Sequence, residues 1–249
     1  MARSSTTTTA GTSETSDQRS ASDQAAADAP KATRGGHLPT GTSAGRRAKS
    51  ATRTNGKGER TRRGILTAAR EVFERLGYLE ARVSDIAAEA GVAHGSFYTY
   101  FPSKREAFQA IFLEVGQQIT AAVTHGPEDV PGDTLANLDR ANRRYLRVYR
   151  ENAQILILAD QVASIDPLIH EVRLQGRSRH VARVTETIRR LQKHGKADSA
   201  VDAHTTAGAL VAMLASFAYW SSVTPGEYDE EASAQAVTAI WARAIGLRK

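Results

Sequence analysis

The stretch from Val83 to Lys104 constrains the fold more than any other part of the chain. Ile86, Ala87 and Ala90 recur at helical spacing and give one short helix an apolar face. Gly91 follows, where a left-handed backbone is cheap only for glycine, so the chain can turn sharply. Val92, Phe97 and Phe101 then supply the buried side of a second short helix. His94, Gly95, Ser96, Tyr98, Thr99 and Tyr100 are left facing outward. Pro102 lacks an N–H and pushes its predecessor out of helix, so the second helix ends there. Ser103 reads as the N-cap of a third helix, and Glu106 completes a capping box. A short exposed helix of small polar and aromatic groups suits a major groove, where such groups reach base edges and phosphates. Lys104 stands in the first turn of the third helix, where the helix dipole alone disfavours a cation. A phosphate there would satisfy both the lysine and the free N–H groups.

This segment resembles the helix-turn-helix of the TetR family of bacterial transcriptional regulators. Gly-Ser-Phe-Tyr-Thr-Tyr-Phe-Pro-Ser-Lys (95–104) is the strongest part of the match. A generic three-helix core with a glycine turn gives no reason for Lys104 or for the exposed aromatics. The resemblance implies an all-α chain with an N-terminal helix-turn-helix DNA-binding domain and a C-terminal five-helix ligand-binding and dimerisation domain. It also implies a homodimer on a palindromic site in double-stranded DNA, a repressor released when a small-molecule effector binds. Carried onto this sequence, the DNA-binding residues are Arg82, Ser84, His94, Gly95, Ser96, Tyr98, Thr99, Tyr100 and Lys104. Arg82 departs from the family pattern, which places Thr or Ser there as N-cap and phosphate contact. The arginine keeps a cationic reach and forfeits the cap, while Ser84 offers a cap if the helix starts later.

Composition limits what else the chain can be. It has 249 residues and no cysteine, which excludes disulfides and thiol chemistry. No apolar run reaches the length expected of a bilayer span and no signal-peptide core precedes the helices, so a soluble cytoplasmic protein is expected. Residues 1–58 carry nine Lys/Arg against four Asp/Glu, whereas the remainder carries 24 against 23. That extension is rich in Ser, Thr, Ala and Gly and cannot bury enough apolar surface to offset its ordering entropy, so it reads as disordered. Its basic part, Arg46, Arg47, Lys49, Arg53 and Lys57, has two readings. One is an arm that contacts phosphates or enters the minor groove; the other is a solvated linker.

From Glu59 the periodicity is helical throughout. Ile65, Ala68, Ala69, Val72, Phe73 and Leu76 define a helix that Gly77 closes. The third helix of the motif runs from Ser103 to about Thr124, and 125–133 is a break. Further helices are expected at about 134–150, 152–165, 167–194, 202–222 and 229–246, with Asp166-Pro167 a cap-and-proline start and Gly195 and Pro225-Gly226 as stops. The domains are therefore 1–58, an extension; 59–115, the DNA-binding domain, its last helix continuing to about 124; and 116–249, the effector-binding and dimerisation domain.

The last two helices are apolar on more than one face and need cover on both sides. Leu210, Leu214, Val237, Ile240 and Trp241 are the expected dimer contacts, with a deep monomer core as the alternative. Tyr145, Tyr149, Leu156, Val162, Met213 and Phe217 are candidate pocket residues, although such a set also describes simple core. Acidic groups do not line these faces, so an apolar or acyl-like effector is preferred, its identity unknown. Arg140, Arg143, Arg144, Arg147 and Arg150 form a basic stripe, joined by Arg173, Arg177, Arg179 and Arg183. The stripe reads either as a site for an anionic ligand or as a solvated face paired with Glu151, Asp160, Glu171 and Glu186, the second reading being preferred. His170, His180, His194 and His204 lie on different helical faces, so neither a metal nor another cofactor is expected. The chain has no Gly-rich phosphate loop, nucleophile elbow or paired-carboxylate motif, which argues against an enzyme. The competing function is an architectural or accessory DNA-binding protein held mainly by its basic tail, and a third is a module for a protein partner.

Overall fold

The computed structural model describes residues 44–124, 129 and 132–248, with side chains from 56 onward. Both apolar cores lie within Arg47–Lys249. Among the described residues there are nine helices and no strand. They are α1 (Ala44–Glu80), α2 (Val83–Glu89), α3 (His94–Tyr100), α4 (Lys104–Val123), α5 (Thr134–Glu151), α6 (Ala153–Ala163), α7 (Pro167–Lys193), α8 (Ala203–Val223) and α9 (Glu230–Ala244).

The capping chemistry explains most of the boundaries. Asp133, Asp166, Asp202 and Asp229 each accept backbone N–H groups at the start of α5, α7, α8 and α9. Gly77 breaks α1 near its end with φ 76° and ψ 166°, a conformation open to glycine. At its other end α1 begins at Ala44, so residues 44–58 are helical where the composition suggested a disordered tail. Elongating a helix already nucleated by a packed turn costs far less than starting one, which lets it run past the last apolar residue. The rest of the tail, and the side chains of Arg46, Arg47, Lys49 and Arg53, lie outside the described residues; Lys57 is exposed.

Two apolar clusters share the fold. The first joins α1–α4 around Phe73, Phe97 and Phe108, all fully buried, with Phe73 and Phe108 edge to face at 5.3 Å. It also takes in Ile155, Ala159 and Val162 of α6 and Ile169 of α7. The second holds α5, α7, α8 and α9 around Ile188, Leu214 and Val237. Ile119 of α4 and Leu156 of α6 pack against both. The DNA-binding domain therefore borrows core from helices well beyond residue 115.

Four of the expected dimer contacts are corrected by this packing. Leu210, Leu214, Val237 and Trp241 are all buried within the chain's own second cluster. Ile240 alone of that set is exposed, at 46%. α8 also amends the expectation about apolar runs. By length and composition it could cross a membrane, with a mean hydropathy of 1.3. Its inner face nonetheless packs on the chain's own second cluster, as a core helix of a globular domain would.

Candidate DNA interface and effector cavity

The two short helices stand as the spacing suggests. Gly91 adopts φ +64° between α2 and α3. Phe97 is buried beneath α3, while His94, Gly95, Tyr98 and Thr99 are exposed on it. The rings of His94 and Tyr98 meet at 5.5 Å, edge to face, so Tyr98 is braced from one side yet remains 50% exposed. Ser96 is half-buried, and Tyr100 is corrected from outward-facing to half-buried against the first cluster. A residue in the last turn of so short a helix cannot avoid the core that Phe97 and Phe101 enter. Arg82 is exposed at the start of α2, as is Ser84. Arginine has no acceptor with which to cap, but Asp85 accepts the Arg82 backbone N–H at 3.0 Å, which keeps half of the box.

Lys104 is used differently from the expectation. Its ammonium donates to the carbonyls of Tyr78, Leu79 and Ala81 at 2.8, 3.0 and 2.8 Å and sits 4.9 Å from the centre of the Tyr78 ring. An ammonium has three donors, and here all three are committed. The lysine caps the carbonyl end of α1 across the Gly77 break, so no N–H is left for a phosphate. Burial draws its pKa below the usual lysine range, with Glu80 opposing that shift. Ser103 accepts from Arg105 N at 3.1 Å and donates to Glu106, which holds the Glu106 carboxyl below its usual pKa.

Behind the motif, α4, α5, α6, α7 and α8 line a half-open cavity of about 1000 Å³. Tyr145, Tyr149 and Leu156 line it as expected. Val162, Met213 and Phe217 do not: Val162 is buried in the first cluster, Met213 packs on the second, and Phe217 packs edge to face on Tyr228 at 5.4 Å. Of the α7 wall, Arg177 and Arg183 belong to the basic stripe whose anionic-ligand reading was not the preferred one, whereas Gly176 and His180 were missed. Neither stands out in the sequence, because this wall mixes glycine, imidazole and guanidinium and follows no single period. His180 lies 5.9 Å from the Tyr145 ring, and burial, with Arg183 and Arg177 nearby, brings its pKa down to about 4. Tyr145 and Tyr149 are raised above the ordinary phenol range, chiefly by burial, Tyr149 to about 12.

The arginine stripe of α5 is mostly spoken for, by partners other than those expected. Arg143 bridges Asp139 and Glu231, Arg144 meets Asp129 and the Ala122 carbonyl, and Arg150 pairs with Glu230. Arg173 pairs with Asp160, as the sequence reading allowed. A second network ties the motif to the back half. Arg70 of α1 donates to Asn152 at 2.9 Å, and buried Asn152 donates to Gln118 of α4 at 3.2 Å. Among the described residues no group of three His, Cys, Asp or Glu side chains could hold a metal.

Comparison with known proteins agrees with this architecture. Residues 65–111 match the model for bacterial regulatory proteins of the tetR family, and residues 136–233 match that for the tetracyclin repressor-like C-terminal domain. The HTH-type transcriptional repressor SCO4008 of Streptomyces coelicolor is 30% identical over 169 residues, 67% of this chain and 81% of its own. The HTH-type transcriptional regulator SrpR of Pseudomonas putida is 27% identical over 68% of this chain and 78% of its own. A TetR-family regulator from Rhodococcus sp. shares the fold, with a TM-score of 0.65 at 19% identity, over 75% of this chain and 99% of that one. With the motif, the nine-helix order and these relatives in agreement, the chain belongs to the TetR family of DNA-binding helix-turn-helix transcriptional regulators.

Proposed function

We propose that the chain is a homodimeric repressor that acts in the cytoplasm, binds a palindromic operator and leaves it when a small molecule fills the α4–α8 cavity. The observation that carries this reading is the pairing of an exposed, braced α3 face with a cavity of about 1000 Å³ behind it. Pockets for small molecules typically run to about that size. On α3, His94, Ser96 and Thr99 would read base edges, while Tyr98, with Arg82 and Ser84 of the preceding helix, would hold phosphates.

A second subunit is supported by the outer faces of α8 and α9. Trp220 is 55% exposed, Val223 37% and Ile240 46%, and they lie on the two helices whose inner faces already fill the chain's core. Large apolar groups left exposed on these helices call for cover. Two copies would then present two recognition helices about 34 Å apart, one turn of DNA. Such a chain works by binding, with no catalytic step.

The test is selection of random duplex DNA by the full-length protein at near-physiological salt, with sequencing of the retained duplexes. An enriched palindrome supports the operator-binding dimer. Retention without enrichment would instead support an accessory protein held by its basic extension.

A further inference from the structure

The chemistry of the cavity walls narrows what can occupy them, provided that this cavity is the effector site proposed for it. Its inner wall is apolar, with Phe112, Ile119, Leu156 and Val211 among the lining residues. The space is opened by glycine on two facing helices. A Cβ added at Gly116 or Gly176 would meet nothing within 4 Å. Glycine in a helix interior costs about 1 kcal/mol relative to alanine, so both helices forgo stability where a side chain would fit.

The α7 side is of opposite character. Arg177, Arg179 and Arg183 line the cavity, and among the described residues their guanidinium groups make no hydrogen bond or ion pair. That separates them from Arg143, Arg144, Arg150 and Arg173, each matched to a carboxylate. Among the described residues Asp160 is the one carboxylate in the cavity wall, and Arg173 occupies it. A half-buried imidazole, His180, sits between the arginines and the Tyr145 ring.

We infer that the effector is an amphipathic anion, with an apolar body against Phe112, Ile119 and Leu156 and a carboxylate or phosphate-monoester head between Arg177 and Arg183. The guanidinium fork matches either head in bidentate geometry. His180 adds an N–H donor without adding charge, because its surroundings hold it neutral near pH 7. An uncharged apolar ligand would fill the inner wall and leave the arginines unanswered. A cation would meet the same arginines at close range with no free carboxylate to offset them.

The experiment uses the full-length protein and four probes of one chain length: decanoate, decyl phosphate, decan-1-ol and decylamine, each below its aggregation threshold. Calorimetric titration reads affinity on wild type, on an Arg177→Gln/Arg183→Gln double variant and on Gly176→Leu. The expected result is that one of the anions binds wild type at least about tenfold more tightly than the alcohol or the amine, matching one charge-assisted hydrogen bond. The tighter of the two identifies the head group. The double variant should lose that preference while retaining its unliganded melting temperature, since both arginines are exposed. Gly176→Leu should abolish binding of every probe. Equal binding of decan-1-ol and the anions would overturn the anionic head and leave the cavity as an effector site. An anion preference that persists in the double variant would overturn the assignment to Arg177 and Arg183. Failure of all four probes on wild type would overturn the effector reading together with it.

Discussion

Replacing Lys104 separates two roles that a lysine can play at the edge of a helix-turn-helix. In the structure its ammonium donates to three carbonyls at the end of α1, two of them partly buried and one, that of Leu79, exposed. Lys104→Met keeps most of the stem and removes the charge. Water can replace the bond to Leu79, so only the Tyr78 and Ala81 carbonyls lose their partner outright. At about 1.5–3 kcal/mol for a hydrogen bond involving a charged group, and with partial resolvation, the loss should be about 2–4 kcal/mol. A chain of this size loses roughly 2–4 °C per kcal/mol, so the midpoint should fall by about 5–15 °C. Thermal and urea unfolding followed by circular dichroism would measure that loss. Binding to a selected duplex across a salt series would measure the other role, since each phosphate contact adds about 0.9 to the logarithmic salt slope. The slope should not change. A melting temperature within about 1 °C of wild type, combined with a slope lower by about 0.9, would place the ammonium on a phosphate and refute the capping role.

Three other perturbations have defined outcomes. Trp220→Glu and Ile240→Glu should each shift the protein towards monomer in sedimentation experiments, because the new carboxylate would be buried unpaired at about 3 kcal/mol or more; an unchanged dimer would place the interface elsewhere. His180 is neutral in the fold, with a pKa of about 4 against an ordinary 6.5, so its share of stability is complete above pH 6.5 and fades as the pH falls towards 4. Discounted for partial exposure, that share is on the order of 2 kcal/mol; His180→Asn should flatten the pH–stability curve in that window, and parallel curves would contradict the assignment. Asn152→Ala strips the buried link between Arg70 and Gln118. It should destabilise the chain by about 1–3 kcal/mol and weaken the effect of a bound ligand on DNA affinity. Unaltered ligand response at unaltered stability would remove the network from the coupling.

Helix order and most boundaries were legible because local chemistry sets them, the start of α1 at Ala44 being the exception. Asp166 ahead of Pro167, Ser103 behind Pro102, and Gly77 and Gly195 at positive φ are decided by the first and last turns of each helix. Facing was less legible. On α8 the apolar residues run nearly all round, so periodicity does not say which face meets the chain's own core and which meets another molecule. Leu210 and Leu214 turned out to be inside, with Trp220 outside. The Lys104 cap depends on the Gly77 break bringing the carbonyls of residues 78–81 to the start of α4. That juxtaposition is long-range, and no spacing rule contains it. The cavity was half legible: its aromatic wall followed from apolar content, whereas the wall of Gly176, His180 and Arg183 is mixed in chemistry and has no single period.

The way the cores are shared offers a route by which the proposed effector would be felt at the motif. Ile155, Ala159 and Val162 of α6 are buried in the first cluster, beside Phe73 and Phe108, while Leu156 of the same helix lines the cavity. Ile119 of α4 likewise faces the cavity on a helix whose first turns carry Ala107 and Phe108 of the DNA-binding core. Close-packed interiors do not yield gradually; they shift between discrete arrangements. On the proposed reading, a ligand held against Leu156 and Ile119 would favour an arrangement in which α6 and α4 have shifted as bodies. Either motion would displace the floor on which α1 rests and carry the Arg70–Asn152–Gln118 network with it. In a dimer joined through α8 and α9, a rotation of each motif about that floor changes the separation of the two α3 helices, and a palindrome tolerates only one separation. The ligand's leverage is its difference in affinity between the two arrangements, so a shift from mostly bound to mostly released operator needs a preference on the order of 10⁴-fold. The unmatched arginines of α7 can supply part of that preference, since a charge-assisted contact made in only one arrangement counts in full.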